Sequence, residues 1–447
     1  MSCPGAVAPG LSLPRALQTL WYLSDPVSFL ERGRRAGEAF RVETLIFGEQ
    51  TFFSRPETLQ EAFGLDPDLL RAGEANLVLK KVVGEQSISS LDGAAHQARR
   101  RLLLPVIQGA TAGHEAATRA RTARLLAAAA RGEAVPLRSL MRRLTLDAML
   151  EIVFGGAEVG ELGASFARLV DRGAIPFAQL GAIPALQRDL GPLSPWGFFA
   201  RELRQVDAQL YAQIARPRAE LGAGLDHRSG GLLGALLQAR DSEGRGLPDS
   251  TLRDEVFTLL GAGYETTATA LAWALELLLL HPGEKARVER ELAAGGGVAG
   301  ASPVLDAVIK ESLRLRPVLP TVTRVASRGL RLGGQDLPAG SSLVLCLYLA
   351  QREGRAHPEQ FYPDRFLGKA SGPGEGWFPF GGGPRRCPGM GLALGQMRAV
   401  IAAALSHFDL RLARPGPSRP IFRGQTLAPL GGTRAFIERR VGGPGVP

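Results

Sequence analysis

The chain has 447 residues, of which 45% are hydrophobic and 21% are charged. This composition is typical of a globular protein, and the length allows one large domain or several smaller ones. Lysine and arginine total 53 against 43 acidic residues, for a formal net charge of +10. No basic run is interleaved with aromatic residues, which disfavours nucleic-acid binding. The three cysteines form no disulfide framework, as expected in a reducing cytoplasm.

The N-terminal residues 1–39 are interrupted by prolines and never reach the roughly 20 consecutive apolar residues of a membrane-spanning helix. They also lack the charged start and continuous apolar run of a signal peptide. We therefore expect an N-terminal extension without a membrane anchor, followed by a core at 40–447, in a cytoplasmic protein.

The first regular pattern of the core predicts a small sheet. Residues 40–54 alternate in character and turn at Gly48, which predicts a β-hairpin, and Pro56 then opens a short helix. Residues 77–90 show no period and predict a loop. Helical patterns fill 114–222, with interruptions at four prolines: Pro176, Pro184, Pro192 and Pro195.

The longest helical pattern runs from Leu252 to Leu280, and its second half is apolar nearly all round, so this helix should be buried. Within it, Gly263 weakens the helix, while Glu265 and Thr266 bring a carboxyl and a hydroxyl into an apolar rod. Burying polar groups is costly, which makes these two residues candidate catalytic groups. The alternative is ordinary packing with a threonine bonded back to its own helix.

Two further patterns complete the organisation of the chain. Gly295, Gly297 and Gly300 spell G-x-G-x-x-G, but a helical pattern precedes them where a dinucleotide site needs a strand, so a nicotinamide site is disfavoured. Strand-like segments at 321–326 and 343–350 predict additions to the small sheet, and residues 424–440 predict a β-hairpin.

A glycine-rich turn at 378–393 delivers Cys387 to the start of an apolar helix, where Pro388 suits the first turn. The helix dipole and the nearby Arg385 and Arg386 favour the thiolate, which is a nucleophile or a soft metal ligand. The alternative is an ordinary turn that ends in a buried cysteine.

This turn resembles the haem-binding motif of the cytochrome P450 haem-thiolate monooxygenases, because Phe380, Gly383, Cys387 and Gly389 fill F-x-x-G-x-x-x-C-x-G. Residues 262–266 match the family's A-G-x-[DE]-T. The resemblance, to the soluble bacterial kind, implies a mainly α fold with a large helical lobe and a small β-rich lobe, in one domain over 1–447. It implies haem b (iron protoporphyrin IX) with Cys387 as the ligand of the iron.

The resemblance also implies residues around the cofactor. His96 and Arg100, at i and i+4 on one helix face, would hold one propionate, and Arg324 the second. A solvated surface histidine is the alternative for His96. The full expected cofactor-binding set is His96, Arg100, Arg324, Phe380, Arg385, Cys387 and Gly389, with Gly389 letting the backbone pass under the ring.

Two more groups follow from the resemblance. Glu311 and Arg314, at i and i+3, are expected to join Arg365 of F-x-P-x-R-F in a structural triad. The expected substrate pocket, for which core packing is the alternative, comprises Leu77, Val78, Phe177, Ala262, Val318, Leu319, Thr426 and Leu427.

The implied reaction is activation of O2 and insertion of one oxygen atom into a lipophilic small molecule by hydroxylation or epoxidation, with Glu265 and Thr266 delivering protons. A ferredoxin or flavodoxin with an NAD(P)H-dependent reductase would supply electrons to a monomeric enzyme. Arg385, Arg386 and Arg398 would form a docking patch, with simple solvation as the alternative. The alternative functions are a peroxide-driven peroxygenase and a non-catalytic haem sensor.

Overall fold

The computed structural model describes residues 8–111, 113–175, 181, 183, 186–191, 193–222, 231–240, 243–295, 302–368 and 376–440. The helices are α1 Arg15–Ser24, α2 Pro26–Ala36, α3 Pro56–Gly64, α4 Leu77–Val83, α5 Gly93–Thr111, α6 His114–Ala129, α7 Leu137–Phe154, α8 Leu162–Gly173, α9 Pro195–Gly222, α10 Leu232–Gln238, α11 Asp249–Leu280, α12 Pro282–Ala293, α13 Pro303–Leu315, α14 Leu347–Ala350 and α15 Met390–His407. The strands are β1 Ala39–Thr44, β2 Gly48–Phe53, β3 Leu70–Arg71, β4 Val135–Pro136, β5 Val322–Ala326, β6 Leu330–Leu332, β7 Gln335–Leu337, β8 Ser342–Leu345, β9 Phe408–Leu412, β10 Pro420–Arg423, β11 Thr426–Pro429 and β12 Arg434–Arg439.

The large helical lobe is built around α11, which packs against α7, α9, α13 and α15. Its apolar second half is buried on every side, as the pattern predicted. Gly263 is the point of closest approach between α11 and α7, because a Cβ there would lie 2.4 Å from the sulfur of Met149. This glycine therefore permits tight helix packing, and α11 runs uninterrupted through it, which differs from the expected weakening.

The β-rich lobe contains a five-stranded sheet in the order β1-β2-β8-β5-β3. The predicted hairpin is confirmed, since β1 pairs with β2 around a turn that ends at Gly48. β8 inserts parallel to β2 and antiparallel to β5, and this pairing sets Arg324 opposite Leu343. Phe29 of α2 packs in one apolar cluster with Phe40 and Phe52, so the segment before β1 covers one face of this sheet.

Three predicted elements differ in the structure. Residues 77–90 begin with α4 before the loop, because the apolar run LVLKKVV can form two helical turns that Gly84 ends. Residues 347–350 are helical, although they were predicted as strand. The predicted hairpin at 424–440 is wrong, because β11 pairs with the preceding β10 while β12 pairs with β9 and β4. The left-handed Gly431 and Gly432 redirect the chain between those strands.

The other predicted elements lie partly within the described ranges. The longest helix begins at Asp249, three residues before the predicted start at Leu252. Pro195 begins α9, whereas Pro176, Pro184 and Pro192 lie outside the described residues. The G-x-G-x-x-G segment follows α12, although Gly297 and Gly300 also lie outside the described residues. No helix in the described ranges is long and apolar enough to cross a membrane.

Candidate active site

Residues 378–389, named here the cysteine loop, lie between the β-rich lobe and α15. The loop passes against α3 so closely that a Cβ at Gly383 would lie 2.0 Å from the carbonyl oxygen of Phe63, and Gly383 has φ of +61°. Only glycine fits both demands. The backbone N–H of Cys387 donates to the carbonyl of Phe380 at 3.0 Å, which fixes the direction in which the cysteine projects.

The Cys387 side chain is accessible although it lies deep in the protein. Burial raises the pKa of its thiol, while the N–H of Gly389 and the charges of Arg100 and Arg386 act in the opposite direction. The expectation of a favoured thiolate is therefore wrong for the protein environment alone. Two features of the loop explain why the thiolate is not favoured. α15 begins only at Met390, so Pro388 precedes the helix, and Arg385 is turned toward Asp92.

A cationic cluster lies beside this sulfur, formed by His96, Arg100, Arg324 and Arg385 around the single carboxylate of Asp92. Arg385 Nη2 donates to Asp92. Burial lowers the pKa of Arg324 to about 10, and the charge of Arg385 adds to that shift. Burial also lowers the pKa of Arg100, which the neighbouring Cys387 opposes. The cluster thus carries more positive charge than the described residues around it neutralise.

His96 is a buried member of this cluster. Burial, with the charges of Arg385 and Arg100, lowers the pKa of His96 to about 4, so its imidazole is neutral at pH near 7. Its Nδ1 is buried and has no hydrogen-bond partner among the described residues. A solvated surface histidine, the alternative considered above, does not describe this position.

In the middle of α11, Ala262 is exposed and Thr266 is half-buried, whereas the helix is buried from Thr267 to Leu278. α11 packs against α15, which follows Cys387 in the chain. We infer that the accessible surfaces of Ala262, Thr266 and Cys387 line one space between α11 and the cysteine loop, named here the recess. The Thr266 hydroxyl donates to the carbonyl of Ala262, which is the back-bonded geometry of the alternative interpretation.

Glu265 is held by two arginines of α7 that sequence reasoning did not single out. Arg138 Nη2 donates to Glu265 Oε1, and Arg142 Nε lies 2.9 Å from Glu265 Oε2. Arg142 Nη1 also lies 2.7 Å from Asp171 Oδ1 on α8. Burial, with the charges of Arg142 and Arg423, lowers the pKa of Arg138 to about 10. The carboxylate is thus ion-paired at rest and linked through Arg142 to a more exposed acid.

Glu311 binds both Arg314 and Arg365 in the interior of the protein. Arg314 binds Glu311 through two parallel bonds, Nε to Oε2 at 2.7 Å and Nη2 to Oε1 at 2.9 Å. Arg365 Nε donates to Glu311 Oε1 at 3.0 Å and Arg365 Nη2 to the carbonyl of His357. His357 adopts the left-handed conformation, with φ of +51°.

The structure separates the predicted pocket residues. Ala262 is accessible and Leu319 half-buried, whereas Val318 and Thr426 are buried. Leu427 packs into the apolar cluster of the β-rich lobe and is 1% exposed, so it presents no surface to the recess. The side chains of Leu77 and Val78 lie outside the described set, as does Phe177 entirely.

The predicted arginine docking patch is not assembled as expected. Arg398 is paired with both Glu115 and Asp306, at 3.6 Å and 3.2 Å. Arg385 is turned toward Asp92, and Arg386 donates to the sulfur of Met390 at 3.2 Å. Carboxylates already compensate the charges of two of the three arginines.

A match to the family model "Cytochrome P450" spans residues 11–432. The chain belongs to the cytochrome P450 family. It is similar to "Putative cytochrome P450 135B1" of Mycobacterium bovis, 34% identical over 96% of this chain and 91% of the relative. It is also similar to "Putative cytochrome P450 135A1" of Mycobacterium tuberculosis, 34% identical over 98% and 97%. A solved structure titled "Retinoic acid bound cyanobacterial CYP120A1" has the same fold, with a TM-score of 0.83 and 22% identity over 98% of this chain and 100% of that one.

This P450 is therefore a haem-binding monooxygenase with the predicted fold of a large helical lobe and small β sheets. Its residues fit the cofactor. Haem carries two carboxylates, and the cluster offers the positive charges of Arg100, Arg324 and Arg385 together with a buried His96 nitrogen that has no hydrogen-bond partner among the described residues. Iron accepts a thiolate ligand, and Cys387 opens to the interior beside that cluster.

Sequence reasoning missed Asp92, Arg138, Arg142 and Asp171. Asp92 opens the D-G-x-x-H-x-x-x-R segment, and its Oδ1 accepts the backbone N–H of Ala72 at 2.9 Å. Arg138 and Arg142 are spaced i and i+4 on α7, which signals that they share a helix face. That spacing does not name the acid that they bind.

Proposed function

We propose that the chain, as a single cytoplasmic domain acting as a monomer, inserts one oxygen atom from O2 into a C–H or C=C bond of a lipophilic small molecule. Electrons would come from a separate ferredoxin or flavodoxin with its NAD(P)H-dependent reductase. The observation that supports the proposal is accessible Cys387 beside the charge of Arg100, together with the Thr266 hydroxyl and the ion-paired Glu265 in the middle of α11.

Haem, when bound, supplies the reductive activation of oxygen. Cys387 would ligate its iron, and ligation would stabilise the thiolate that the protein alone disfavours. His96, Arg100, Arg324 and Arg385 would hold its carboxylates, and Phe380, which packs on Trp377, would contribute an apolar contact. Gly389 leaves space there, since a Cβ at this position would meet only the Cys387 sulfur at 3.9 Å among the described residues.

Thr266 and Glu265 would then handle protons. The Thr266 hydroxyl can rotate from the Ala262 carbonyl and donate into the recess. Glu265 is ionised in its pair with Arg138 and Arg142, so it must first take up a proton before it can act as an acid. Asp171, on the other side of Arg142 and half exposed, faces the solvent from which that proton would come.

The predicted pocket residues other than Leu427 remain candidates for substrate contact, and they are mainly apolar. An apolar lining favours a lipophilic substrate. The docking surface for the electron donor would lie over the cysteine loop, where Arg386 is half-buried and Arg101 on the neighbouring α5 is exposed. This assignment replaces Arg385 and Arg398 of the predicted patch, whose charges are already paired.

Reconstitution tests the proposal directly. The haem-loaded chain is incubated with a generic ferredoxin, its reductase and NADPH, and candidate lipophilic compounds are first ranked by the shift that they cause in the haem spin state. Product that depends on all three additions supports the proposal. Product formed equally well with peroxide alone would indicate a peroxygenase.

The Cys387 assignment has its own spectroscopic test. Reduced protein under CO should show the red-shifted Soret band of thiolate ligation. Cys387→Ser should lose that band, whereas Cys346→Ser, at the fully buried second cysteine, should retain it. An ordinary haem–CO spectrum in the unmodified chain would contradict the assignment.

A further inference from the structure

Three consecutive charged residues are buried on α11, in the half of the helix before the recess. Arg253, Asp254 and Glu255 are 6%, 7% and 0% exposed. None of them has a role in the proposed reaction. Buried charges are costly unless they are paired, so their partners indicate what they do.

Their partners lie in residues 82–92, named here the strap, which comprise the last two residues of α4 and the connection to α5. Each of the three binds one backbone group of the strap. Arg253 Nη2 donates to the carbonyl of Val82 at 3.0 Å. Asp254 Oδ2 accepts the N–H of Gln86 at 2.9 Å, and Glu255 Oε1 accepts the N–H of Ile88 at 2.9 Å. The Ser87 and Thr258 hydroxyls add a fourth contact at 2.7 Å.

The other side of the strap is held by the cysteine loop. Arg385 Nη1 donates to the carbonyl of Ile88 at 3.2 Å, and Arg385 Nη2 donates to the carbonyl of Leu91. The Ile88 residue is thus bound by Glu255 of α11 through its N–H and by the cysteine loop through its carbonyl. The strap is thus bonded both to α11 and to the cysteine loop, the two elements that we infer to flank the recess.

The Glu255 carboxyl is bound asymmetrically. Oε1 accepts from Ile88 and also from Arg99 of α5, whereas Oε2 is buried without a hydrogen-bond partner among the described residues. A proton added to Oε2 would leave both bonds to Oε1 in place. It would also remove a negative charge from a site that water does not reach.

We propose that the strap is a closure element of the recess, and that its closing takes up a proton at Glu255. Opening of the strap breaks the Ile88 bond and admits water to the carboxyl, so the proton is released. Acidification therefore holds the strap closed, and a rise in pH favours its opening.

The charged surroundings support this direction. Burial raises the pKa of Glu255 to about 7, with Arg99 of α5 acting against the shift and Asp254 adding to it. Arg253, the third charge on this turn, is paired with Asp254 and with Asp207 of α9. In the open form, water returns the pKa toward the ordinary value of 4.5. The closed form therefore binds the proton more tightly, and its advantage is lost as pH rises from about 4.5 through about 7.

Hydrogen–deuterium exchange of the full haem-loaded chain tests the proposal without substrate or turnover, so the result is independent of the reaction proposed above. Exchange in peptides covering Gln86 and Ile88 is converted to protection factors, which removes the intrinsic effect of pH. Between about pH 5 and about pH 8, protection should fall by up to a factor on the order of 10².

Variants assign the effect to Glu255. Glu255→Gln, which mimics the protonated carboxyl, should keep the strap protected at every pH. Glu276→Gln is the matched control, because Glu276 is also buried and accepts a backbone N–H, from Ser418 at 2.9 Å, away from the strap. It should retain the unmodified pH dependence. Arg99→Gln should move the transition to higher pH, because Arg99 favours the ionised form.

Protection of the strap that is independent of pH in the unmodified chain would overturn the proposal. The same holds for Glu255→Gln retaining the unmodified slope. If that variant fails to fold, Arg99→Gln decides: an unchanged transition overturns the proposal, and an upward shift supports it.

Discussion

Glu311 and Glu265 are each held by a pair of arginines, and the two sites differ in enclosure. Glu311 and Arg314 are both fully buried, and Arg314 also donates to the carbonyls of Pro358 and Gln360. The Glu265 and Arg142 side chains are each 13% exposed, and Arg142 divides its charge between Glu265 and Asp171, which is 50% exposed.

The same residue types therefore serve two purposes. When both oxygens of a buried carboxylate already accept hydrogen bonds from enclosed neighbours, no other arrangement of its bonds has a lower free energy. Such a carboxylate fixes the chain around it. A carboxylate whose arginine has a second, more hydrated partner can change its bonds at small cost, since the arginine remains paired. Enclosure, more than charge, separates the structural site from the candidate proton-transfer site.

The largest effect should follow from Glu311→Ala, which removes the carboxylate partner of buried Arg314 and half-buried Arg365. The free energy of unfolding should fall by about 3–5 kcal/mol, with little haem-loaded protein recovered. Denaturant unfolding and the haem-to-protein ratio measure both. Glu353→Ala is the control, because Glu353 is 39% exposed and pairs with Arg34 across 3.5 Å. A stable, fully loaded but inactive Glu311→Ala protein would place Glu311 in the reaction instead.

Thr266→Ala should act on the reaction and leave the stability unchanged. Haem content, substrate binding and NADPH consumption should persist, while product per NADPH falls by at least about tenfold and peroxide appears. Peroxide and product are quantified together. Thr267→Ala is a matched control on the next position of α11, where the side chain is buried. Undiminished coupling in Thr266→Ala would assign Thr266 to packing, as its bond to Ala262 allows.

Glu265→Gln should separate the two glutamates kinetically. It keeps the shape but cannot carry a proton, so turnover should slow by roughly tenfold while NADPH use and product fall together. The free energy of unfolding should fall by less than it does in Glu311→Gln, because Arg142 keeps Asp171 as a partner. Steady-state turnover and denaturant unfolding are compared for both variants. Equal losses of stability in the two would remove the distinction drawn from enclosure.

The smallest effect is expected for Arg142→Gln. Glu265 keeps Arg138 as a partner and Asp171 is hydrated, so the free energy of unfolding should fall by at most about 1 kcal/mol. Arg314→Gln, in the enclosed site, should lower the free energy of unfolding several times more. Thermal and denaturant unfolding report both. Arg143→Gln, at the exposed neighbouring position, provides the baseline. A loss for Arg142→Gln as large as that for Arg314→Gln would contradict the comparison.

Local spacing explains what the sequence could predict. Cys387 with its glycines, the i and i+4 pair His96 and Arg100, and the β1–β2 hairpin each depend on neighbours within a few residues. Partners far apart in the chain leave no such pattern. Arg138 and Glu265 are 127 residues apart, and Gln86 and Asp254 are 168 apart. The inward turn of Arg385 likewise depends on Asp92, 293 positions earlier.

The insertion of β8 into the sheet has a consequence for folding during synthesis. β2 emerges early, but its outer edge at Thr51–Phe53 pairs with Leu343–Leu345, nearly 300 residues later in the chain. Loop closure over such a distance is slow, and an unpaired apolar strand edge can associate with other chains in the meantime. The Thr51–Phe53 edge is therefore the segment of the nascent protein that a chaperone would protect, and slowed translation before residue 342 should raise the yield of aggregate.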